Sequence, residues 1–458
     1  MVLETTLRDV DPRFAITNYD VKLSRLIAPG LTTVDSQDLE PRLHIAESLD
    51  RIDDRHWRVT IKPGLLFSDG TPLKASDVAF TYSSVLAKST KSLYRKSFAE
   101  RFSEVKVVAE RQVEFVLHTP IATLRSDLDF GILSESAAGE GRVVGVGPFA
   151  LQSFSAEKVV LVRNEHYRLG PVAKMARIVV KTVRDGNARN LMLVGGSADF
   201  SQNAVRVDLV EFIEKRERVV VLSDESAILT YLMMHNEDPL LSDVRVREAI
   251  AHAINRQDII DGAMFGSGTP IGTHFAPHNP DYVDLTGLSN YDPDKSRALL
   301  KEAGAEGITL RLMLPPPSYA RRGGEVIAAQ LREVGIETEI SNLEWAQWLE
   351  QVFKGKDFDL TIVSHTEPRD INIYARPDYY FQYDNADFQA LMDELAVTSD
   401  PAKRTELNQK AQRMIAEDYV NGYLFQLGKT VVANAKVQGL WANAPTQAND
   451  LTGVSWAD

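Results

Sequence analysis

The most suggestive cluster of groups able to hold a polar molecule is His365-Thr366-Glu367-Pro368-Arg369-Asp370, two acids and one arginine in a six-residue stretch. It follows Phe358–Val363, an apolar run expected to be a strand, and ligands of open α/β sheets lie beyond the carboxyl ends of strands. Tyr374, Arg376, Tyr379 and Tyr380 come just downstream. Aromatic rings beside fixed charges suit a polar-ended organic ligand in a cleft, although an ordinary charged surface loop also fits. A second such place is Ser318-Tyr319-Ala320-Arg321-Arg322, after the alternating run Leu310–Leu314. There an arginine can meet a carboxylate or lie along a helix surface.

Other motifs carry less. Gly145-Val146-Gly147-Pro148-Phe149-Ala150 fits a loose dinucleotide pattern. That pattern needs a helix start to face a pyrophosphate, and Pro148 before the strand-like Phe149-Ala150-Leu151 supplies none. A backbone turn is expected instead. His274 and His278 are four apart, but Pro270, Pro277 and Pro280 exclude the helix that would put both imidazoles on one face, so a loop without metal is expected. HExxH, GxSxG, Walker and EF-hand patterns do not occur. No catalytic constellation and no cofactor site emerges.

The chain has 458 residues, with 51 Lys+Arg against 64 Asp+Glu, a net charge of −13 and no cysteine. The missing thiols exclude disulfides, thiolate zinc sites and iron–sulfur clusters. An acidic chain without a basic block is a poor partner for nucleic acid. No apolar run reaches the ~20 residues of a membrane span. The start, MVLETTLRDVDP, has neither a basic n-region nor an apolar h-region, so the expectation is a cytosolic protein or one whose targeting segment is absent from this sequence.

The elements that must position these residues change in style along the chain. The first third is strand-rich: Trp57–Ile61, a hairpin from Val105–Val108 and Val113–Leu117, and a short helix expected to be capped by Ser76. Strands at Val159–Val162 and Ile178–Val183, a helix between Asp185 and Gly195 and another over Val207–Arg216 follow. After Leu229–Met234, helices and strands alternate. Asp243 and Asp292-Pro293 open helices, Gly304 and Gly335 close two, and Asp400-Pro401 opens the last. This rhythm predicts a parallel or mixed sheet covered by helices.

Several blocks in order resemble the family 5 extracellular solute-binding proteins, the dipeptide, oligopeptide and nickel receptors of ABC importers. They are Ala46-Glu47-Ser48-Leu49, Trp57 to Gly64, Phe67-Ser68-Asp69-Gly70-Thr71-Pro72-Leu73, Val144 to Phe149 with Arg163-Asn164-Glu165-His166-Tyr167, Asp243 to Ile250, and Tyr291-Asp292-Pro293-Asp294-Lys295. The resemblance implies an α/β, two-lobed periplasmic-binding-protein-like fold of type II. Lobe I would be 1–231 plus 429–458, with about 34–144 an inserted subdomain, and lobe II 232–428. It also implies a non-enzymatic receptor that closes on a peptide or amino-acid-derived solute and delivers it to the transmembrane permease subunits of an ABC importer. Such a receptor would be monomeric, periplasmic or a cell-surface lipoprotein.

By this resemblance the ligand's amino terminus falls to Glu367, with Asp370, Arg369 and His365 beside it, and its carboxylate to Arg321 or Arg322. Trp345 would form a wall, Tyr319 is a further ligand-binding candidate, and Thr17-Asn18-Tyr19 would be the lobe I loop along the ligand. Ser364-His365-Thr366-Glu367 stands where the family usually has Trp or a small residue with Asp, so the ligand's cationic end is expected to differ. Alternatives are a nickel-chelate or oligosaccharide receptor on the same scaffold, a peptide or glycan hydrolase, and a cytosolic ligand sensor.

Overall fold

The computed structural model describes every residue except 5, 16, 34–40, 203–208, 366–369, 441–450 and 458, together with the side chains of 223–225, 227 and 429. The chain divides into two compact units, Met1–Asp224 with Lys429–Asp458, and Glu225–Gly428. Both this division and the expected one at 231/232 fall inside one strand, Val219–Met234. No helix among the described residues is long and apolar enough to cross a membrane.

Among the described residues, the first unit holds two four-stranded, antiparallel-rich sheets. One runs in the order Val2–Leu3, Arg177–Thr182, Lys158–Arg163, Phe149–Ser155. The other runs Ala46–Arg51, His56–Ile61, Gln112–Leu117, Phe102–Ala109. Alternation makes this second sheet one-sided: Val59, Ile61, Val113, Phe115 and Leu117 are buried with Val78, Tyr82 and Val85 of the helix Ala75–Leu86. Among the described residues, the buried members of its core all lie between Leu31 and Val146, with the half-buried Leu169 packed against them. Of the helix expected over Val207–Arg216, the described part is Val210–Glu214.

The start of the helix Ala75–Leu86 corrects the expectation from Ser76, which is exposed. Asp77 does the capping: one carboxylate oxygen accepts from the Lys74 N–H at 2.9 Å and the other from the Glu135 N–H at 2.9 Å. A carboxylate reaches back to satisfy an orphan helix donor and keeps a second oxygen for another segment, which a hydroxyl does less well. Asp77→Ala is therefore expected to cost about 1.5–3 kcal/mol in a denaturant melt. Ser76→Ala should stay within about 0.5 kcal/mol; equal losses in the two variants would contradict this assignment.

In the same unit, the segment Leu26–Gly30 is gripped by glycines. A Cβ on Gly145 would lie 2.2 Å from the Ile27 carbonyl oxygen, on Gly147 2.3 Å from that of Leu26, and on Gly131 2.3 Å from that of Ala28. The Gly147 N–H donates to the Ile27 carbonyl at 2.8 Å. The pattern Gly145-Val146-Gly147 is thus a close backbone crossing, with the strand Phe149–Ser155 following it rather than a helix.

The second unit carries the mixed sheet. Thr309–Leu314 pairs in parallel with Glu337–Asn342 and with Leu360–His365, and Leu229–Met234 runs antiparallel to Leu360–His365. Helices pack on it as the apolar spacing requires: Ile327 and Leu331 of Ser318–Glu333 are buried with Ile259 and Ile260 of Arg256–Met264. Pro293–Ala303 begins with the Asp292 carboxylate accepting from the Lys295 N–H at 2.9 Å and ends with Gly304 at φ 67°. The helix that opens at Trp345 is α only to Trp348 and continues as a π-turn, Leu349–Lys354.

Candidate functional site

Three parallel strands of the second unit end side by side, and each delivers candidate residues. Thr309–Leu314 leads into Tyr319 and Arg321 at the start of the helix Ser318–Glu333. Glu337–Asn342 leads into Trp345, and Leu360–His365 ends on His365 itself. The Tyr319 hydroxyl accepts from the Ser364 N–H at 3.3 Å, linking the first of these ends to the third. Trp345 keeps 43% exposure and stands edge-on to Trp348, whose indole N–H donates to the Thr361 hydroxyl at 3.0 Å. An exposed indole is thus mounted on a buried one that is fixed to the sheet.

Arg321 and Arg322 differ in their surroundings. The Arg321 guanidinium donates to the Leu343 carbonyl at 3.1 Å and to the Glu344 carboxylate at 3.2 Å, tying two loops of this end together. Arg322 lies over the ring of Phe265, 5.5 Å from its centroid.

Beneath these loops is a buried polar cluster. One oxygen of Asp370 is 2.6 Å from His274 Nε2 and the other 3.0 Å from His365 Nδ1. Tyr374 Oη lies 3.2 Å from His274 Nδ1 and accepts from the Asn421 side-chain amide at 3.1 Å. Tyr231 stacks on His274 with ring centroids 5.2 Å apart. Burial works against the charge on Asp370, yet His274 and then His365 hold its carboxyl well below the usual carboxylate range. The phenols of Tyr231, Tyr374 and Tyr380 are pushed up, chiefly by burial. The cluster therefore clamps both ends of the segment that contains Glu367, from His365 to Asp370. Thr366, Glu367, Pro368 and Arg369 lie outside the described residues.

The clamp was not visible in the sequence as a unit. Asp370 and His365 were candidates, but His274 stood out only through its spacing from His278, and Asn421 not at all. The loop that carries His274 follows Gly268–Pro270, which pairs with Phe425–Leu427, so the chain's pairing brings it to Asp370. His278 turns elsewhere, its Nδ1 being 3.0 Å from the Gln426 amide nitrogen. Among the described residues no group of three His, Cys, Asp or Glu side chains could hold a metal ion.

In the first unit, Asn18 and Tyr19 open the helix Asn18–Ile27 rather than forming a loop. Thr17 caps it: its hydroxyl accepts from the Asp20 N–H at 3.2 Å, and Asp20 accepts from the Thr17 N–H at 3.3 Å. Tyr19 is turned into the core, where its hydroxyl donates to the Gln202 carbonyl at 3.4 Å.

Residues 40–388 match the family model of the bacterial extracellular solute-binding proteins, family 5. The chain is 26% identical to the probable D,D-dipeptide-binding periplasmic protein DdpA of Escherichia coli, over 95% of this chain and 89% of that protein. Among solved structures it is similar to the ABC transporter substrate-binding protein CtaP of Listeria monocytogenes, with TM-score 0.88 and 21% identity over 100% of this chain and 98% of that one. It is also similar to the periplasmic binding protein DppA of Helicobacter pylori in complex with the peptide STSA, with TM-score 0.87 and 22% identity over 100% and 98% of the two chains.

Proposed function

Since this chain belongs to the bacterial extracellular solute-binding proteins of family 5, we propose that it captures a peptide or amino-acid-derived solute and hands it to the permease subunits of an ABC importer. It does so as a monomeric receptor outside the cytoplasmic membrane, by binding without turnover. The observation that carries this reading is the meeting of Tyr319, Arg321, Trp345 and His365 at the carboxyl ends of three parallel strands, where ligands of such sheets sit. The D,D-dipeptide in the name of the Escherichia coli relative supports the ligand class. Capture is a shift of population toward the conformer that the solute contacts most fully.

Within this reading the roles of the two acids separate. Both oxygens of Asp370 are engaged by histidines, so Asp370 is a positioning residue that fixes the far end of the segment. Glu367, the other carboxylate of the segment, is assigned to the ligand's ammonium, with Arg369 beside it. Trp345 and Tyr319 serve as walls. Glu367→Ala should weaken binding of an amine-bearing dipeptide by about 2–5 kcal/mol, the range for removing one partner of a buried charged pair. Calorimetry with di-alanine and with its N-acetylated form tests this: the acetylated peptide should already bind the wild type poorly, and Glu367→Ala should erase the difference. Unchanged affinity in the variant would remove Glu367 from the site.

A further inference from the structure

From Val78 to Ala99 this acidic chain carries no carboxylate side chain, while Lys88, Lys91, Arg95 and Lys96 stand within that run. The four come where the helix Ala75–Leu86 passes into the next one, Arg95–Arg101. Two tight turns make the connection: the Lys91 N–H donates to the Lys88 carbonyl and the Arg95 N–H to the Ser92 carbonyl, both at 3.3 Å. The connection is tied down along its length. The Ser92 hydroxyl donates to the Arg13 carbonyl at 2.7 Å, the Tyr94 hydroxyl to the Ala15 carbonyl, and the Arg95 guanidinium to the Leu86 carbonyl at 3.0 Å. Ser92 and Phe98 are buried. Lys88, Lys91 and Lys96 are exposed, and between them Leu93 keeps 70% of its surface in water. Lys96 lies 3.9 Å from Glu100, whereas among the described residues Lys88 and Lys91 form no ion pair.

Because Ser92, Tyr94 and Arg95 pin the backbone on both sides of Leu93, this leucine does not reach water through slackness of the chain. Lysine is depleted where proteins meet proteins, which favour aromatic residues and arginine; lysines around an apolar side chain are the composition of surfaces that lie on lipid. There the ammonium heads meet anionic headgroups while the apolar side chain enters the boundary beneath them. We propose that the connection from Lys88 to Lys96 is a contact site for an anionic lipid surface, on which it holds the receptor weakly and reversibly. This rests on the reading of the chain as a receptor that works at a membrane. The net charge of −13 would otherwise repel the protein from anionic lipid, and a local basic patch turns one region toward it.

The test is co-sedimentation with vesicles of phosphatidylcholine alone and of equal parts phosphatidylcholine and phosphatidylglycerol. The wild type should sediment with the mixed vesicles at low ionic strength, less so as salt is added, and not with the neutral ones. Changing Lys88→Gln, Lys91→Gln and Lys96→Gln together should weaken binding to the mixed vesicles about 100-fold, roughly fivefold per lysine. Leu93→Ser should weaken it about tenfold. Because the chain has no cysteine, Leu93→Cys can carry a single environment-sensitive fluorophore. Its emission should rise on the mixed vesicles, and that of a Leu191→Cys protein, labelled at a site 71% exposed in the same unit, should not. A wild type that sediments with neither vesicle, or a triple variant that sediments as the wild type does, would overturn the proposal. So would equal binding to polyglutamate with Leu93→Ser unaffected, which would point to an acidic protein partner instead. All the variants should bind di-alanine as the wild type does. A wild type that binds the peptide but no vesicle sinks this proposal alone; one that binds the mixed vesicles but no peptide sinks the peptide-receptor reading and leaves the lipid contact standing.

Discussion

Replacing Asp370 by alanine is expected to destabilise the second unit by about 3–5 kcal/mol, the cost of removing one partner from a buried charged cluster. His274 is 2% exposed, and both it and His365 would lose the acceptor that fixes them. The effect has a pH signature with a definite sign. The folded-state pKa of Asp370 lies below its unfolded value, so it binds its proton less readily in the folded protein. The stability it contributes is fully present above the unfolded pKa of about 4 and drains away as pH falls below that value. In urea melts between pH 5 and pH 3, the gap between wild type and Asp370→Asn should narrow as pH falls below about 4. A gap that stays constant to pH 3 would mean that the carboxylate is not held ionised by its histidines. Solute affinity should fall along with stability, because the segment carrying Glu367 loses its fixed far end.

The second large effect is expected at Gly147. An alanine there would place its Cβ 2.3 Å from the Leu26 carbonyl oxygen and 2.6 Å from that of Ile27, and both are backbone atoms that no rotamer change can move aside. The cost should be about 3 kcal/mol or more, at or above the upper end for overpacking. Gly139→Ala is the control, since a Cβ at Gly139, at the end of the helix Glu135–Gly139, would meet nothing within 4 Å. That exchange should be neutral or raise stability by up to about 1 kcal/mol. Comparable melts for the two variants would show that the crossing can relax.

The second unit was the more legible part of the chain, for a physical reason. Its helices announce themselves locally: Asp292-Pro293 and Gly304 bracket a helix whose cap and left-handed end can be read from a dozen adjacent residues. The rank of parallel strands followed from the same rhythm, and with it the end of the sheet where Tyr319, Trp345 and His365 meet. Pairings across long separations were not legible. His274 and Asp370 are 96 residues apart in sequence, and no local pattern ties an imidazole at one to a carboxylate at the other. The cap at Ser76 was misread because Asp77, one residue on, serves two segments at once, and the second, at Glu135, lies far along the chain.

The division of the chain also sets an order in time. Glu225–Gly428 is a single continuous stretch, whereas the first unit is built from both ends of the chain, Met1–Asp224 and Lys429–Asp458. During synthesis the second unit therefore has all its residues before the first can be completed. The pairing of Phe200–Gln202 with Val431–Ala433 must wait until the whole second unit and the residues after it have emerged. Contacts of such sequence separation are the slow ones to form. Until they do, Val432 and Ala433 have yet to cover the apolar residues they bury, Val2, Leu3 and Phe200 among them, and that surface is open to aggregation or to a chaperone.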